Sequence, residues 1–329
     1  MISIVIPLVN EEESLPPLYQ EIVEAARANN LDIEIRFVDD GSRDSSWNVI
    51  TELAKQDVRV HGLRFRRNFG KAAALSAGFQ AARGDVIVTL DADLQDDPKE
   101  IPRFLAKMDT GLDVVSGWKR VRHDPWHKVL PSRVFNALVG WVTGVNLHDH
   151  NCGMKSYRAE IFREVRLYGE LHRFIPVLAA ARGWKVGEID IQHRARKFGV
   201  GKYMGVDRFV KGLLDLMTVK FLTGFGRRPQ HLLGSLGLLS FLIGNLGMVY
   251  LAVTWLIRLQ NPEAFPPLHE RPALIYALAA LLMGAQLMSM GFLAELITAY
   301  HSRDTDSYSI AETTEARSNT EYPVPSATV

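Results

Sequence analysis

An apolar run that ends in acidic residues decides the fold: VIVTLDADLQ, residues 86–95. Its first five residues are apolar or β-branched, which is typical of a buried strand. Asp91 and Asp93 follow directly, and because they are two apart on an extended segment their side chains point the same way. A second strand-like run, IEIRFV at 33–38, leads into the aspartate pair at 39–40. Two strands that end in carboxylates predict a ligand site at one edge of a sheet.

Strands and helices alternate outward from this segment. Apolar runs predict five strands, at residues 2–7, 33–38, 58–65, 86–90 and 113–117. Amphipathic stretches between them predict four helices, at residues 14–29, 44–55, 70–82 and 98–108. Strands separated by helices of this length imply βαβ units and a mostly parallel sheet. The predicted class is therefore a Rossmann-like α/β domain.

Three common nucleotide and metal motifs are missing from the sequence. The first predicted strand is followed by LVNE, residues 8–11, rather than by a glycine-rich fingerprint, which argues against hydride transfer from a dinucleotide. The sequence has no Walker A pattern and no HExxH helix. The single cysteine, Cys152, excludes an intramolecular disulfide and a cysteine-rich zinc site. What the predicted edge does carry is carboxylates, the oxygen donors that Mg²⁺ and Mn²⁺ prefer.

The charges are unevenly placed, although the formal net charge of the 329 residues is only +1. Residues 1–116 hold 13 basic and 20 acidic residues, residues 117–230 hold 21 and 9, and residues 231–329 hold 4 and 8. An acidic block of net −7 is thus followed by a basic block of +12 and an apolar block of −4. The basic block can attract an anionic partner even though the whole chain is close to neutral.

Two long uncharged stretches, Leu232–Ile257 and Pro272–Ala294, predict a transmembrane hairpin over residues 229–300, with spans at about 232–257 and 272–298. A pair of buried core helices is the alternative interpretation. Basic residues before the first span predict that the preceding part of the chain is cytoplasmic, at the plasma or inner membrane. Residues 301–329, rich in Ser, Thr, Glu and Asp, predict a disordered cytoplasmic tail.

Two amphipathic stretches precede the hairpin. Residues 205–228 predict a juxtamembrane helix, with Phe209, Leu213 and Met217 at helical spacing, and it leads straight into the first span. A second stripe, running from Val134 to Val145, fits core packing as well as it fits membrane docking.

Four motifs in a fixed order carry a family resemblance. They are VIPLVNE at 5–11, VDDGS at 38–42, DADLQ at 91–95 and LHDHNCGMK at 147–155. Together they resemble the family 2 glycosyltransferases, which have a GT-A fold. The last motif and the hairpin are similar to the polyprenyl-phosphate sugar transferases, the group of dolichyl-phosphate mannose synthases and bactoprenol glucosyltransferases. The resemblance covers residues 1–228 by motif and 229–300 by architecture, and it implies a cytoplasmic GT-A domain over residues 1–204.

The resemblance also implies roles for individual residues. A nucleotide-sugar pocket would be lined by Pro7, Asn10, Glu11, Asp39, Asp40, Asp91 and Ala92. Asp93, with a catalytic role, and Gln95 would hold Mg²⁺ or Mn²⁺. Acceptor and donor phosphates would be bound by Lys119, Arg120, Arg122, Arg194, Arg196 and Lys202. Asp149 would act as a base or as an organiser of the acceptor side, and its neighbours His148, His150 and Cys152 are interpreted as structural.

The implied reaction is inverting transfer of one sugar from a nucleotide donor to a polyprenyl phosphate. UDP-glucose is the first donor expected and GDP-mannose the second. A transferase that acts on a protein, glycan or glycolipid head group, and a non-catalytic membrane scaffold, stay open as alternatives. Nucleic-acid binding is not expected because it leaves the hairpin unexplained. A two-span hairpin leaves helix surface free to pack on a second copy, so a homo-oligomer also stays open.

Overall fold

The computed structural model describes residues 1–120, 126–165, 167, 169, 171–192, 194, 206–220, 223 and 229–301. Its strands are β1 (Ile2–Leu8), β2 (Ile33–Asp39), β3 (Val60–Arg64), β4 (Val86–Thr89), β5 (Val114–Lys119), β6 (Lys155–Arg158) and β7 (Val186–Ile191). Its α-helices are α1 (Leu15–Ala28), α2 (Ser46–Gln56), α3 (Lys71–Ala81), α4 (Ile101–Asp109), α5 (Trp126–Thr143), α6 (Ile161–Glu164), α7 (Ile175–Ala181), α8 (Val206–Lys220), α9 (Pro229–Gln260) and α10 (Pro272–His301).

The strands form one sheet in the order β3-β2-β1-β4-β6-β5-β7. The first four positions are parallel, as the βαβ pattern predicts, and β7 is parallel to β5. Strand β6 lies between β4 and β5 and is antiparallel to both. The mostly parallel α/β fold is therefore confirmed, with two strands, the inserted β6 and the edge strand β7, that the sequence pattern did not predict.

The predicted strand boundaries differ from the structure mainly at β3. Val58, placed in that strand by its apolar character, lies in a turn and is 87% exposed. The turn closes when the Val60 backbone N–H donates to Asp57 O, at 3.0 Å. The helix predicted from residue 98 begins as a single 3₁₀ turn, Pro98–Glu100, before α4.

The core lies on both faces of the sheet because successive strand residues point to opposite sides. Ile4 and Ile6 of β1 belong to a cluster with Leu18 of α1 and Phe104 of α4. Val5, between them, belongs to a second cluster with α3 and α7. Parallel strands covered on both faces read as continuous apolar runs, as β1 does. The acidic residues that follow the strands are thereby held on a rigid frame.

The two C-terminal helices pack along their length through glycines. A Cβ atom added at Gly237 would lie 2.9 Å from Gly284 O, and one added at Gly244 would lie 2.5 Å from Leu281 N. Small residues allow this close backbone approach between membrane helices. Residues 230–260 and 272–297 are long and apolar enough to cross a bilayer, and their most apolar windows are only 17% and 11% buried. That exposure contradicts the alternative of buried core helices. The predicted tail at 301–329 lies outside the described residues except for His301.

Helix α8 lies within the predicted juxtamembrane segment and packs on α5. An added Cβ at Gly212 would lie 3.1 Å from the Phe135 ring, and Lys220 Nζ donates to Val142 O at 2.7 Å. Leu216 is buried in this contact, whereas Met217 beside it is exposed. The second predicted stripe divides likewise: some members join the core with Phe135, and others face outward.

A buried polar cluster closes the amino-terminal end of the sheet. Glu34 of β2 accepts hydrogen bonds from Ser3 Oγ, from Arg36 Nη2 at 2.8 Å and from the Arg83 backbone N–H at 2.6 Å. Burial alone would raise the pKa of Glu34, but Arg36 and the other donors lower it overall. The cluster joins β1, β2 and the α3–β4 turn around one ionised carboxylate.

We expect Glu34→Gln to lower the free energy of unfolding by about 1–3 kcal/mol, because the substitution removes the charge that Arg36 pairs with. Denaturant titration of the detergent-solubilised chain, followed by tryptophan fluorescence, measures the change. The folded-state pKa of Glu34 is lowered, so its stabilisation is present above the usual carboxyl range and is lost as pH falls. The gap between wild type and variant should therefore close below pH 4.5. Exposed Glu24→Gln is the control, and an equal loss in both variants would contradict the prediction.

Candidate active site

The loops after β1 and β2 hold each other at the edge of the sheet. The Asn10 backbone N–H donates to Ser42 Oγ at 2.9 Å, and Asn10 Oδ1 accepts from the Arg43 backbone N–H at 2.8 Å. The Glu11 N–H donates to Ser46 Oγ at 2.9 Å. Asn10 has a φ of 52°, in the left-handed region that asparagine tolerates better than most residues. Asn10 and Glu11 thus shape the pocket edge through their contacts with the second loop.

Asp39 and Asp40 have different surroundings. Asp39, fully buried at the end of β2, accepts from the Ser42 N–H at 2.8 Å, and its other oxygen lies 3.4 Å from Arg64 Nε. Asp40 accepts from the backbone N–H groups of Phe69 and Gly70, at 2.7 and 2.9 Å. Asp40 therefore fixes the loop before α3 with both of its oxygens. The ligand roles predicted for the pair stay predictions.

Asp91 is paired with a lysine that the sequence analysis did not select. Lys71 Nζ, at the start of α3, lies 2.5 Å from Asp91 Oδ1. Burial acts to raise the pKa of Asp91, but the charges of Lys71, Lys119 and Lys155 lower it to about 2. Burial acts to lower the pKa of Lys71, yet Asp91 raises it overall. Asp91 is thus a carboxylate held charged by cations from other elements.

The residues predicted to hold a metal follow in a strained turn. Leu94, which is buried, has a φ of 60° and so turns the chain sharply between Asp93 and Gln95. Asp93 Oδ1 accepts from the Gln95 backbone N–H at 3.1 Å. In the described part of the chain no group of three or more acidic, His or Cys side chains is placed to hold a metal. The donor set fits a Mg²⁺ or Mn²⁺ ion bound by two protein oxygens and completed by a diphosphate.

Asp149 lies in a loop that is fixed on both of its sides. Asn136 of α5 donates to His148 O at 2.8 Å, and its Oδ1 accepts from the His150 N–H at 3.4 Å. Asp149 itself is buried, and its Oδ1 accepts from the Asn151 N–H at 3.0 Å. This geometry suits an organiser of the loop more than a mobile base.

The loop after Asp149 is buried against cations. Lys155 Nζ donates to His150 O at 3.2 Å and to Cys152 O. Burial lowers the pKa of Lys155, with Asp149 and Asp91 acting against it. Burial also lowers the pKa of His150 to about 4 and raises that of the Cys152 thiol to about 12. His150 and Cys152 are therefore neutral at physiological pH, in agreement with a structural role.

A basic cleft of about 440 Å³ opens beside this loop. Its lining comes from the end of β5, from one face of α5 and from the residues before Asp149: Trp118, Lys119, Arg120, Arg133, Asn136, Ala137, Gly140, Asn146, Leu147 and His148. Lys119 Nζ also lies 2.9 Å from Asp96, which raises the pKa of Lys119 against the effect of burial. Lys119 and Arg120 were selected from the sequence. Arg133 was not, since a lone arginine on a helix carries no local signal.

Arg194, another predicted phosphate ligand, is not among the residues that line this cleft. Arg194 Nη1 donates to Glu21 at 2.7 Å, and its Nη2 pairs with Asp97. The Arg194 backbone N–H donates to Gln95 O at 3.0 Å, so Arg194 holds the chain after β7 against the acidic turn. Its phosphate-binding role stays a prediction. Arg122, Arg196 and Lys202 lie outside the described residues.

Comparison with known proteins assigns the chain to one protein family. The sequence profile of Glycosyl transferase family 2 matches residues 3–166. The chain is 38% identical to a dodecaprenyl-phosphate galacturonate synthase of Rhizobium johnstonii, over 92% of this chain and 89% of that one. It is 36% identical to an undecaprenyl-phosphate 4-deoxy-4-formamido-L-arabinose transferase of Proteus mirabilis, over 90% and 88% of the two chains. The predicted resemblance is confirmed.

Solved structures show the same fold at low identity. Mannosyl-3-phosphoglycerate synthase of Rubrobacter xylanophilus matches 67% of this chain and 74% of its own, with a TM-score of 0.55 and 15% identity. Glucosyl-3-phosphoglycerate synthase of Mycobacterium tuberculosis, crystallised with Mn²⁺, uridine diphosphate and phosphoglyceric acid, matches 68% and 78%, with a TM-score of 0.51 and 17% identity. The GT-A expectation for the α/β domain is confirmed.

Gly153 lies directly under the Asp91 carboxylate. An added Cβ would lie 2.5 Å from Asp91 Cγ, so Gly153→Ala should displace Asp91 from Lys71. We expect turnover to fall by about 100-fold, because small displacements of reacting groups have effects of that size. Steady-state rates measure the loss. Gly111→Ala is the control, since Gly111 has a φ of +94° but lies at the opposite end of the sheet. Equal rates in the two variants would contradict the prediction.

Proposed function

Because the chain belongs to glycosyl transferase family 2, we propose that it transfers one sugar from a nucleotide donor to a polyprenyl phosphate at a membrane surface. The observation that carries the proposal is the basic cleft. It adjoins the loop of Asp149 on one side of the acidic edge, in a chain that ends in two bilayer-length helices. Relatives of at least 36% identity over nine-tenths of the chain bear the names of polyprenyl-phosphate sugar transferases.

The acidic edge is the proposed donor side. Asp39 would accept hydrogen bonds from the base or ribose, since one of its buried oxygens has no hydrogen bond within the described residues and lies 3.4 Å from Arg64 Nε. Asp93 and Gln95 would hold the divalent ion, which masks the charge of the diphosphate when it is bound. Asp91 is kept ionised by its lysines, so it can bind sugar hydroxyl groups as an acceptor.

The cleft is the proposed acceptor side. A phosphate monoester has a second pKa near 6 and is mostly dianionic at neutral pH, so it needs no strong base. An oxygen of the lipid phosphate attacks the anomeric carbon as the bond to the donor diphosphate oxygen breaks, with inversion. Lys119, Arg120 and Arg133 supply positive charge to the incoming phosphate. The task of Asp149, buried in its fixed loop, is then to keep this wall in position.

The sugar is proposed to be of the kind named in the relatives, with galacturonate ahead of glucose or mannose. The expected UDP-glucose donor is not supported by those names, which record galacturonate and a formamido-arabinose. Galacturonate comes first because the relative of 38% identity is named for it.

The proposed orientation puts α5 and α8 at the bilayer surface, with the α/β domain in the cytoplasm and α9 and α10 as the anchor. Trp141 of α5 is 83% exposed, and Val134, two turns earlier on the same face of the helix, is exposed too. Leu214 and Met217 of α8 are exposed nearby. Solvent-exposed apolar residues next to a membrane anchor suit the headgroup layer, where tryptophan is enriched. The arrangement would open the cleft toward the lipid phosphate.

The function is tested with the full-length chain in nanodiscs, labelled UDP-galacturonate, UDP-glucose or GDP-mannose, undecaprenyl phosphate and Mn²⁺ or Mg²⁺. We expect label in the lipid extract, lost on chelation of the metal and restored by adding it back. Asp149→Ala, which removes the oxygen that accepts from the Asn151 N–H, should reduce transfer by about 100-fold while nucleotide binding, measured by calorimetry, is unchanged. No label in lipid with any donor would refute the function, and label in protein or glycan would favour the alternative acceptor.

The orientation is tested with an environment-sensitive fluorophore at two exposed positions. In Trp141→Cys the dye should shift to the blue and be quenched by spin-labelled lipids, because this face contacts the headgroup layer. In Val58→Cys, equally exposed but in the turn before β3, it should respond to neither. The native Cys152 is buried and should stay unlabelled. The same spectra at both positions would contradict the orientation.

A further inference from the structure

One titratable side chain in the basic cleft has no part in the proposed reaction: His148, directly before Asp149. Its Nδ1 contacts Glu188 Oε1 on β7, and its backbone N–H donates to Glu188 Oε2 at 2.8 Å. Both carboxylate oxygens of Glu188 thus contact His148. The loop of Asp149 is thereby fastened to β7 as well as to α5.

The ring of His148 is oriented by stacking. Its centroid lies 4.1 Å from that of Trp118, with 18° between the planes. Arg120 Cζ lies 5.9 Å from the centroid of the same indole. Although it is held at one nitrogen and covered on one face, the His148 side chain is 61% exposed. A side chain fixed in this way and still open to the cleft is built to meet a ligand.

The chemistry of the ring points to an anion. The Glu188 carboxylate only accepts, so Nδ1 carries its hydrogen toward Glu188, and Nε2 is the nitrogen that a ligand can reach. A phosphate in the cleft would meet the cationic side chains of Lys119, Arg120 and Arg133 together with the Nε2 edge of this ring. A ring that carries a hydrogen on both nitrogens donates to Glu188 from Nδ1 and to the phosphate from Nε2.

We infer that His148 is a ligand of the acceptor phosphate, donating from Nε2, and that Glu188 is a positioning residue that fixes the ring. This inference rests on the proposed function, because the phosphate in question is that of the lipid acceptor. It assigns a substrate contact to a residue that the sequence pattern indicated to be structural. It also gives a role to Glu188, the carboxylate by which β7 contacts the loop of Asp149.

The alternative is that His148 only clamps the loop, and two substitutions separate the roles. The amide nitrogen of Asn occupies the place of Nδ1, so His148→Asn can keep the contact with Glu188 while removing Nε2. The amide of Gln reaches the place of Nε2, so His148→Gln can keep the donor toward the phosphate. Glu188→Gln removes the charge that orients the ring.

The experiment measures calorimetric binding of farnesyl phosphate, a soluble acceptor, to the full-length chain in nanodiscs. UDP with Mn²⁺ is titrated separately, so that the donor diphosphate is distinguished from the acceptor. We expect His148→Asn to weaken farnesyl phosphate binding by about tenfold or more and His148→Gln by about threefold or less, with UDP binding unchanged. Glu188→Gln should lie between them. His269→Asn, in the loop between α9 and α10, is the matched control and should bind as wild type does.

Three results would overturn the inference. Wild-type affinity in His148→Asn would show that Nε2 has no ligand role. A loss in His148→Gln as large as that in His148→Asn would overturn the donor role of Nε2, and a larger loss in His148→Gln would assign His148 to holding the loop. Failure of the wild-type chain to bind farnesyl phosphate while it binds UDP would refute the proposed acceptor itself, which is distinguishable because no variant is then involved.

Discussion

The ion pair between Lys71 and Asp91 is the contact on which the rest of the site depends. Asp91 follows the central strand β4 and is half-buried, and burial acts to raise the pKa of its carboxyl group. Lys71 comes from α3, Lys119 from β5 and Lys155 from β6, and all three act on it. The low pKa of the Asp91 carboxyl group is therefore a property of the assembled sheet rather than of the local sequence.

The sequence predicted the parts of this arrangement that depend on local pattern. The five strands β1 to β5 and the carboxylates that follow them could be predicted, because apolar runs and their ends can be read directly from the sequence. β6 could not, since a four-residue strand with the sequence KSYR has no apolar run. Lys71, Arg133 and Glu188 could not be predicted either, because the role of each depends on neighbours that lie far away in the sequence or on another element. Asp40 and Arg194 are predicted to bind ligands, and in the structure their polar atoms form hydrogen bonds within the protein.

Opposite charges are separated across the edge of the sheet. Carboxylates follow β1, β2 and β4, where a metal-bound diphosphate would lie. Cations line the cleft between β5, α5 and the loop of Asp149, where a lipid phosphate would lie. The inserted strand β6 connects the two sides. It begins with Lys155, and the charges of both Asp149 and Asp91 act to raise the pKa of that lysine. In the proposed function, a near-neutral chain therefore holds two sites with opposite charge requirements.

The antiparallel placement of β6 has a consequence for how the chain folds during synthesis. β4 cannot complete its pairing until residues 155–158 have been made, and β5, with β7 at its outer edge, joins the rest of the sheet only through β6. The acidic residues of the amino-terminal part therefore leave the ribosome well before two of their three lysines. Chains are made from the amino terminus, so all seven strands are available before the first bilayer-length helix appears. The two long apolar helices, α9 and α10, are thus added to an enzyme whose sheet can already be complete.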